Sequence, residues 1–359
     1  MRRVVITFDM KLVNIFFLML APGLLSSCIK PNVSVQRITV DGSDTILEIR
    51  DASPQALATL RPAITKLLLV QNQQSHAWKT SELTSINSAL AAGEKAPISK
   101  YNLRLIEISK PLYASSDSYY DPGIGSLVRM WGFYTDKFPI TETPPTNAKI
   151  SEWLVRKPNF SDIAITKQSI TSSNPNTQLD FSTILEGVAA QDMRRIFAQQ
   201  HIEDALVTMG SDQFSVGNEN TKPWTVLLKD PFGGDLGQID LQGNEALFSS
   251  GNFNKFRVAP SGSRWGHVLN PRTGKPAQGS AAVVVLHNDP VLADAASTAL
   301  MAGGSGNFSR LVIRLKLACA MMVTEENELL ITKQMKKRVK FYRDPVPLGE
   351  PIANGQTCL

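Results

Sequence analysis

The spacing of hydrophobic positions in the first part of the chain predicts two strands and then a helix. Apolar and polar residues alternate over 35–40 and 45–49, with turn-forming residues at 41–44 between them, which is typical of a hairpin. From residue 54 the hydrophobic period lengthens to three or four, which predicts a helix over 54–71. The apolar face of this helix consists of Leu57, Leu60, Ile64, Leu67 and Leu68.

The remaining pattern mixes helices with short strands and contains no repeat of fixed length. Helical spacing covers 81–91, 99–114 (with Leu103, Ile106 and Leu112 inward), 182–200 and 290–302, the last ending at a Gly303-Gly304 cap. Runs typical of strands cover 204–209, 224–229, 246–249, 281–286, 317–324 and 328–332, the last two as a hairpin. Residues rich in Pro, Ser, Thr and Asn predict loops at 139–147 and 171–176. This mixture predicts an α+β fold.

The composition is that of a soluble globular protein. The 359 residues are 43% hydrophobic and 19% charged, which excludes a disordered or membrane-spanning class and leaves enough chain for a sizeable core. The net charge of +5 comes partly from a basic run between Lys333 and Arg343, interpreted as a solvated strand or tail. No zinc-finger spacing and no aromatic-and-basic RNA-reading motif accompanies this run, so no nucleic-acid partner is expected.

The N-terminal residues have the pattern of an export signal. Met10-Lys11 precedes an apolar stretch that is too short to span a membrane, and the stretch is followed by Leu25-Ser26-Ser27-Cys28. This ending resembles the bacterial lipobox, in which the cysteine is acylated, for example with palmitate, and becomes the first mature residue. The alternative is an ordinary signal peptide with an incidental cysteine. We expect a lipid-anchored protein of the bacterial cell envelope that faces the periplasm, with the inner or outer membrane left open.

These signals divide the chain into four parts. A signal peptide is predicted over 1–27 (with Met10 as an alternative initiator), a lipid-anchored tether over 28–34, one folded domain over 35–345 and a flexible tail over 346–359. Cys319 lies in a predicted core strand and Cys358 in the tail. We expect both to be free thiols, with a disulfide between them as the alternative.

The predicted helix over 290–302 carries an acidic and a hydroxyl residue on one face. Asp294 and Thr298 are four residues apart, so both side-chain oxygens project from the same side. Such oxygens suit a hard cation such as Mg²⁺, with a ligand phosphate supplying others. The structural alternative is that Asp294 is a favourable charge in the first helical turn.

A loop over 267–276 combines groups that can handle a phosphate. Two prolines and Gly274 predict a tight turn that holds the imidazole of His267, the hydroxyl of Thr273 and free backbone N–H groups. A surface turn with a solvated histidine explains the same residues equally well. Two more segments indicate no specific chemistry by themselves. The turn Asp121-Pro122-Gly123 with Trp131-Gly132-Phe133 favours core packing. The segment 249–256 favours a simple turn through Gly251.

Taken in order, these segments resemble the motifs of the ApbE family of flavin transferases, which are periplasmic lipoproteins. The resemblance runs from about residue 75 to 335 and includes the early helix Ser81-Glu82-Leu83-Thr84-Ser85-Ile86-Asn87. It implies a single flavin-transferase domain of the ApbE type, related to the T-fold, with layers of mixed sheet and helix.

The resemblance also implies an activity and a set of site residues. The activity is the Mg²⁺-dependent transfer of FMN from the substrate FAD to a Thr or Ser of an exported or membrane protein, such as a respiratory or redox complex subunit, with release of AMP. The implied metal ligands are Asp294, Thr298 and the carbonyl of Leu185, and the implied catalytic residue is His267. The implied FAD-binding residues are Asp180, Gly187, Gly210, Asp212, His267, Thr273 and Gly274.

The chain departs from the family pattern around the flavin. In the segment 180–187 the family's two glycines are absent and its lysine is replaced by Glu186, whose charge should weaken pyrophosphate binding. Ser211 replaces a glycine, Asn270 replaces an aspartate, and Phe253-Asn254-Lys255 replaces Tyr-Glu-Arg. Two alternatives therefore stand beside the transferase: a catalytically weak flavin-binding or scaffold lipoprotein, and an FAD pyrophosphatase that uses water as acceptor.

Overall fold

The computed structural model describes residues 32–218, 220–259, 262–342 and 358. The predicted signal peptide, Cys28 and almost all of the predicted tail lie outside these residues. The strands are β1 (Val33–Val40), β2 (Ser43–Arg50), β3 (Ala96–Pro97), β4 (Ile163–Thr166), β5 (Ser169–Ser172), β6 (Ala205–Met209), β7 (Asp212–Val216), β8 (Trp224–Lys229), β9 (Asp235–Leu241), β10 (Ala246–Gly251), β11 (Phe256–Val258), β12 (Arg264–Gly266), β13 (Leu269–Asn270), β14 (Lys275–Pro276), β15 (Ala282–His287), β16 (Cys319–Val323), β17 (Leu329–Ile331) and β18 (Val339–Phe341). The helices are α1 (Pro54–Ser75), α2 (Glu82–Ala91), α3 (Lys100–Ser115), α4 (Gly125–Met130), α5 (Asn147–Arg156), α6 (Leu185–Gln199), α7 (Pro290–Gly303), α8 (Phe308–Arg314) and α9 (Lys333–Arg338).

An eight-stranded antiparallel sheet in the order β1-β2-β6-β7-β10-β15-β16-β17 forms the centre of the fold. One face of the sheet packs against α1, α6 and α7 through the main hydrophobic core. The other face packs against the small sheet β18-β9-β8 through a second core that includes Trp224 and Met335. Helix and sheet layers around one central sheet confirm the α+β prediction.

Helix α7 illustrates how local sequence places a site element. Asp289 caps its N-terminus, since the Asp289 carboxylate accepts hydrogen bonds from the N–H groups of Val291 (2.9 Å) and Leu292 (3.3 Å), and Pro290 occupies the first turn. The helix interior consists mostly of small residues, which lets its backbone lie close to α6 and to the strands β10 and β15. In the described part of the chain, no helix has the length and apolar character needed to cross a bilayer.

Several predicted elements differ from the observed ones. The helix predicted over 182–200 begins at Leu185, because the Asp180 carboxylate accepts a hydrogen bond from the Ser182 N–H at 2.9 Å and forms a turn instead. The loop predicted over 171–176 begins inside strand β5. The basic run after residue 332, interpreted as a solvated strand or tail, forms α9 and then strand β18, with its lysines exposed. In α3, Leu103 is only partly buried, and the inward face is formed by its neighbours Asn102, Leu105, Ile106, Ser109 and Leu112.

The expectation of two free thiols is wrong in the structure. Cys319 and Cys358 form a disulfide with a Cα–Cα distance of 5.3 Å. Cys319 lies in a buried strand, so the bond ties the residue next to the C-terminus to the central sheet. The alternative that the sequence left open is the one observed.

Candidate active site

The N-terminus of α6 meets the middle of α7 at a buried carboxylate. The Gly187 N–H donates a hydrogen bond to Asp294 Oδ2 at 2.8 Å, and Asp294 is buried. A Cβ on Gly187 would lie 2.6 Å from the Pro290 carbonyl oxygen and 3.0 Å from Asp294 Cβ. Glycine is therefore required here for the close approach of the two helices.

Hydroxyl groups lie one helical turn beyond Asp294. The Thr298 hydroxyl is 3.4 Å from the Ser250 hydroxyl, which also forms a 2.9 Å hydrogen bond with Ser297. Leu185 is the first residue of α6, two positions before the N–H that binds Asp294. The carboxylate, the hydroxyl and the first carbonyl of α6 thus belong to two helices that pack directly on each other.

Two more carboxyl groups adjoin Asp294. The pKa of Asp212 is raised well above its usual value, first by burial and then by a hydrogen bond with the Glu186 carboxyl. The pKa of Asp294 is also raised well above its usual value, by burial and by the charge of Glu186, although the Gly187 N–H opposes the shift. Among the described residues, no Lys or Arg forms an ion pair with any of these three carboxyls.

This uncompensated negative charge fits a divalent cation. A carboxylate, a hydroxyl and a backbone carbonyl are the hard oxygen donors that Mg²⁺ prefers. Within the described ranges no three His, Cys, Asp or Glu side chains converge as a metal-binding group. The predicted ligand set does not need such a group, because two of its three donors are neutral oxygens that phosphate oxygens or water can supplement.

His267 precedes the short hairpin β13-β14 and has a well-defined environment. Its Nδ1 is 3.2 Å from the Lys255 carbonyl oxygen, and its ring contacts the edge of Phe133. Burial lowers the pKa of His267 to about 4, and the Lys255 ammonium group contributes in the same direction. The imidazole is therefore neutral near pH 7.

The hairpin itself is anchored by the Trp-Gly-Phe segment. Trp131 is buried, and its indole N–H donates to the Gly274 carbonyl at 2.8 Å. Arg257 is also buried and donates to the carbonyl oxygens of Trp131 and Glu142 (2.7 Å to the latter). The core role predicted for Trp131 and Phe133 is thus observed, and it includes support for the histidine loop.

The structure brings the histidine hairpin and the Asp294 helix together. Strand β13, which begins two residues after His267, packs against α7. Thr273 lines a cleft of about 540 Å³ together with Asn147 and Ser151 of α5. Gly274 lies against Ile150 of the same helix, so these two residues lie on the α5 side of the hairpin.

Asp180 is positioned by the early helix motif. The buried Asn87 side chain forms two hydrogen bonds with the backbone of Leu179 (2.7 and 2.8 Å), and the Asp180 N–H donates to the Pro122 carbonyl at 2.8 Å. The Ser-Glu-…-Asn helix and the Asp-Pro-Gly turn therefore hold the segment that leads into α6. Gly210 and Ser211 form the β6–β7 turn, where Gly210 has a φ of +59°.

Aromatic residues that the sequence analysis did not select lie beside Asp180. Trp78 and Tyr134 are stacked with ring centroids 5.3 Å apart, and His76 packs edge-on against Trp78. Burial raises the pKa of Tyr134 well above its usual value, and the negative charge of Asp180 acts in the same direction. Their only signal in the sequence is their position: Trp78 lies three residues before the early helix motif, and Tyr134 directly follows Trp-Gly-Phe.

Known proteins resemble this chain over most of its length. The sequence model of the ApbE family matches residues 37–322. A protein of Rhodobacter capsulatus named FAD:protein FMN transferase is 31% identical over 273 residues, which are 76% of this chain and 52% of that protein. A protein of the same name from Klebsiella pneumoniae is 28% identical over 291 residues, which are 78% of this chain and 81% of that protein. The chain thus spans about half the length of the first relative and most of the second.

Solved structures share the fold. The apo flavinyl transferase ApbE of Pseudomonas stutzeri superposes with a TM-score of 0.75 at 22% identity, covering 86% of this chain and 97% of that one. The ApbE protein of Thermotoga maritima superposes with a TM-score of 0.76 at 23% identity, covering 86% of this chain and 100% of that one. These likenesses confirm the predicted arrangement of sheet and helix layers.

Proposed function

Because the chain belongs to the ApbE family, we propose that it is an enzyme that transfers FMN from FAD to a Thr or Ser hydroxyl of an exported or membrane protein. The acceptor oxygen forms a new bond to the FMN phosphorus, the pyrophosphate P–O bond breaks, and AMP leaves. The observation that carries the proposal is the buried Asp294 carboxylate, without an ion-pair partner among the described residues, on the helix that packs against the His267 hairpin.

His267 is suited to take the proton of the acceptor hydroxyl. A tautomer with hydrogen on Nδ1 would donate to the Lys255 carbonyl at 3.2 Å and leave Nε2 free to accept a proton. The low pKa of about 4 keeps the imidazole neutral and available at pH 7.

Asp294, the Thr298 hydroxyl and the Leu185 carbonyl would hold Mg²⁺. The ion would supply charge neutralisation at the pyrophosphate, which is its usual contribution to phosphoryl transfer. The residues proposed to bind FAD are Asp180, Gly187, Gly210, Asp212, His267, Thr273 and Gly274. Trp78 and Tyr134 add a flat aromatic surface next to Asp180 that suits a planar ring.

The test is incubation of the protein with FAD, Mg²⁺ and an exported acceptor protein, followed by detection of covalent flavin as a fluorescent band in a denaturing gel. We expect a band that Asp294→Asn and His267→Ala abolish, whereas His201→Asn, a change at an exposed histidine, leaves it intact. Release of AMP and free FMN without a band would identify a pyrophosphatase instead. FAD binding without either product would identify a flavin-binding module.

The proposed location is the bacterial cell envelope, with Cys28 acylated. The Cys319–Cys358 disulfide supports an oxidising compartment, because such bonds are rare in the cytosol. Mass spectrometry of the membrane-extracted protein should find an acylated N-terminal Cys28, and Cys28→Ser should release the protein from membranes. An unmodified cysteine would contradict the proposal.

A further inference from the structure

The outer face of helix α1 presents two adjacent aliphatic side chains to the solvent. Exposed residues recur at helical spacing along this face, and they include Leu69 (46% exposed) and the adjacent Val70 (37% exposed). Large aliphatic side chains at neighbouring exposed positions are unfavourable in water. The remaining residues of the face are Arg61, Pro62, Thr65, Lys66 and Gln73.

The same face carries positive charge without any acidic residue. The 30 residues from 52 to 81 contain no Asp or Glu, in a chain that has 32 of them. Arg61 and Lys66 lie beside Leu69 on the exposed stripe. Basic residues whose aliphatic stems flank apolar side chains are typical of helices that lie on a membrane containing anionic phospholipids.

The tether restricts which surface can reach a membrane. Only four residues lie between Cys28 and Val33, the first residue of β1, and the five Cα–Cα steps between them span at most about 18 Å. Strand β1 is the edge of the central sheet and lies next to α1, since the Gln36 side chain donates to the Leu57 carbonyl at 3.2 Å. An acylated Cys28 would therefore hold α1 close to the bilayer.

From these observations we infer that the outer face of α1 rests on the surface of an anionic phospholipid bilayer. The inference depends on the proposed acylation of Cys28 and goes beyond it, because it assigns an orientation. The small sheet β18-β9-β8 packs on the opposite face of the central sheet and would point away from the membrane. Leu227 of β8 is 47% exposed and offers a matched reference position for Leu69.

The experiment compares Leu69→Cys with Leu227→Cys in the full-length acylated protein. Each cysteine carries an environment-sensitive fluorophore, and the protein is reconstituted in vesicles of phosphatidylethanolamine and phosphatidylglycerol without any other protein. We expect iodide to quench the label at position 69 several-fold less than the label at 227. Replacing phosphatidylglycerol by phosphatidylcholine should reduce the protection of the label at 69. Arg61→Gln with Lys66→Gln should do the same, because each lost charge lowers the equilibrium constant for contact between α1 and the bilayer by about fivefold.

Three results would overturn the inference. Equal quenching at 69 and 227 would show that the anchored domain has no fixed orientation. Protection at 69 that increases with the protein density of the vesicle would show that a second copy covers the face. An unacylated Cys28 would remove the anchor and the orientation together. Flavin transfer measured in the same samples reports separately on the proposed activity, since Leu69 and Leu227 lie outside the candidate site.

Discussion

Glu186, in the first turn of α6, is the single residue that departs most from the family pattern implied by the sequence. Glu186 occupies the position of the family's lysine and hydrogen-bonds with Asp212, next to Asp294. We expect Glu186→Lys to strengthen FAD binding about tenfold, because the change from a repelling to an attracting charge near the pyrophosphate is worth about 1.4 kcal/mol in total at a partly solvated site. Titration of the protein with FAD by fluorescence quenching measures the change.

The control for that experiment is Glu203→Lys, which makes the same charge change just beyond the opposite end of α6, at an exposed position. It should leave FAD affinity unchanged. Weaker FAD binding by Glu186→Lys would mean that the Glu186 carboxylate supports the site. The interpretation that Glu186 weakens FAD binding would then be wrong.

The buried carboxyl group of Asp121 should make the folding stability depend on pH. Burial raises the pKa of Asp121 to about 7, although its Oδ1 accepts hydrogen bonds from the N–H groups of Gly123 (2.8 Å) and Phe160 (3.0 Å). Between about pH 4 and pH 7 the folded chain retains a proton that the unfolded chain has released, so the free energy of unfolding falls as pH rises. Asp121→Asn keeps the acceptor oxygen and should remove this fall, a gain of up to about 4 kcal/mol at pH 8.

Urea unfolding of both proteins at several pH values between 4 and 8 tests this expectation. The two stability curves should converge near pH 4 and separate as pH rises. Curves that remain parallel over the whole range would show that Asp121 is ionised in the folded protein at neutral pH.

The sequence was sufficient to select some residues of the candidate site and not others. Asp294 and Thr298 could be selected because their spacing on a helix fixes their relation, and His267 because its loop is dense in turn residues. Trp78, Tyr134 and Lys255 could not, because their positions beside Asp180 and His267 depend on contacts between segments far apart in the chain. The structure also gives Gly187 a packing function that the resemblance did not indicate.

At the level of elements, the contact between α6 and α7 is the most constrained part of the site. We expect Gly187→Ala to destabilise the fold by about 1–3 kcal/mol, because the added Cβ would lie 2.6 Å from the Pro290 carbonyl oxygen and 2.8 Å from Val291 Cα. This cost exceeds the gain of up to about 1 kcal/mol in helix propensity. The helices must separate, so the Gly187 N–H to Asp294 hydrogen bond should lengthen and activity should fall.

Gly306→Ala is the matched control, because a Cβ at Gly306 meets no atom within 4 Å. Thermal unfolding should show a lower midpoint for Gly187→Ala and little change for Gly306→Ala. Equal midpoints for Gly187→Ala and the wild-type protein would show that the two helices have room to move apart at no cost.

Long periodic elements were predictable and short ones were not. The hydrophobic spacing located α1, α2 and α3 with small errors at their ends, because each buries one side. Helix α7 is buried on nearly all sides, and its end was located by the Gly303-Gly304 cap. The strands β4, β5, β9 and β18 were missed or read as loop or tail. Each depends on a partner strand for its hydrogen bonds, so its local sequence contains little information about it.

The whole molecule adds a constraint that no local pattern contains. Cys319 is in the central sheet and Cys358 is near the C-terminus, and their pairing is visible only once the intervening elements α9 and β18 have folded back along the second core. From sequence alone, two cysteines 39 residues apart could equally be free. The family model matches the chain up to residue 322, and the disulfide links Cys358, which follows that region, to Cys319 within it.

Removing this bond should therefore affect stability more than activity. We expect Cys358→Ser to lower the free energy of unfolding by about 2–4 kcal/mol, because the cross-link closes a loop of 39 residues and restricts the unfolded chain. Cys358 is far in sequence from the candidate site and contacts the second core on the other face of the sheet, so the rate of flavin transfer at low temperature should remain close to that of the wild-type protein. Adding a reductant to the wild-type protein should reproduce the loss of stability and leave Cys358→Ser unchanged. A reductant that destabilises both proteins equally would show that it acts elsewhere, and the bond would then contribute nothing to the fold.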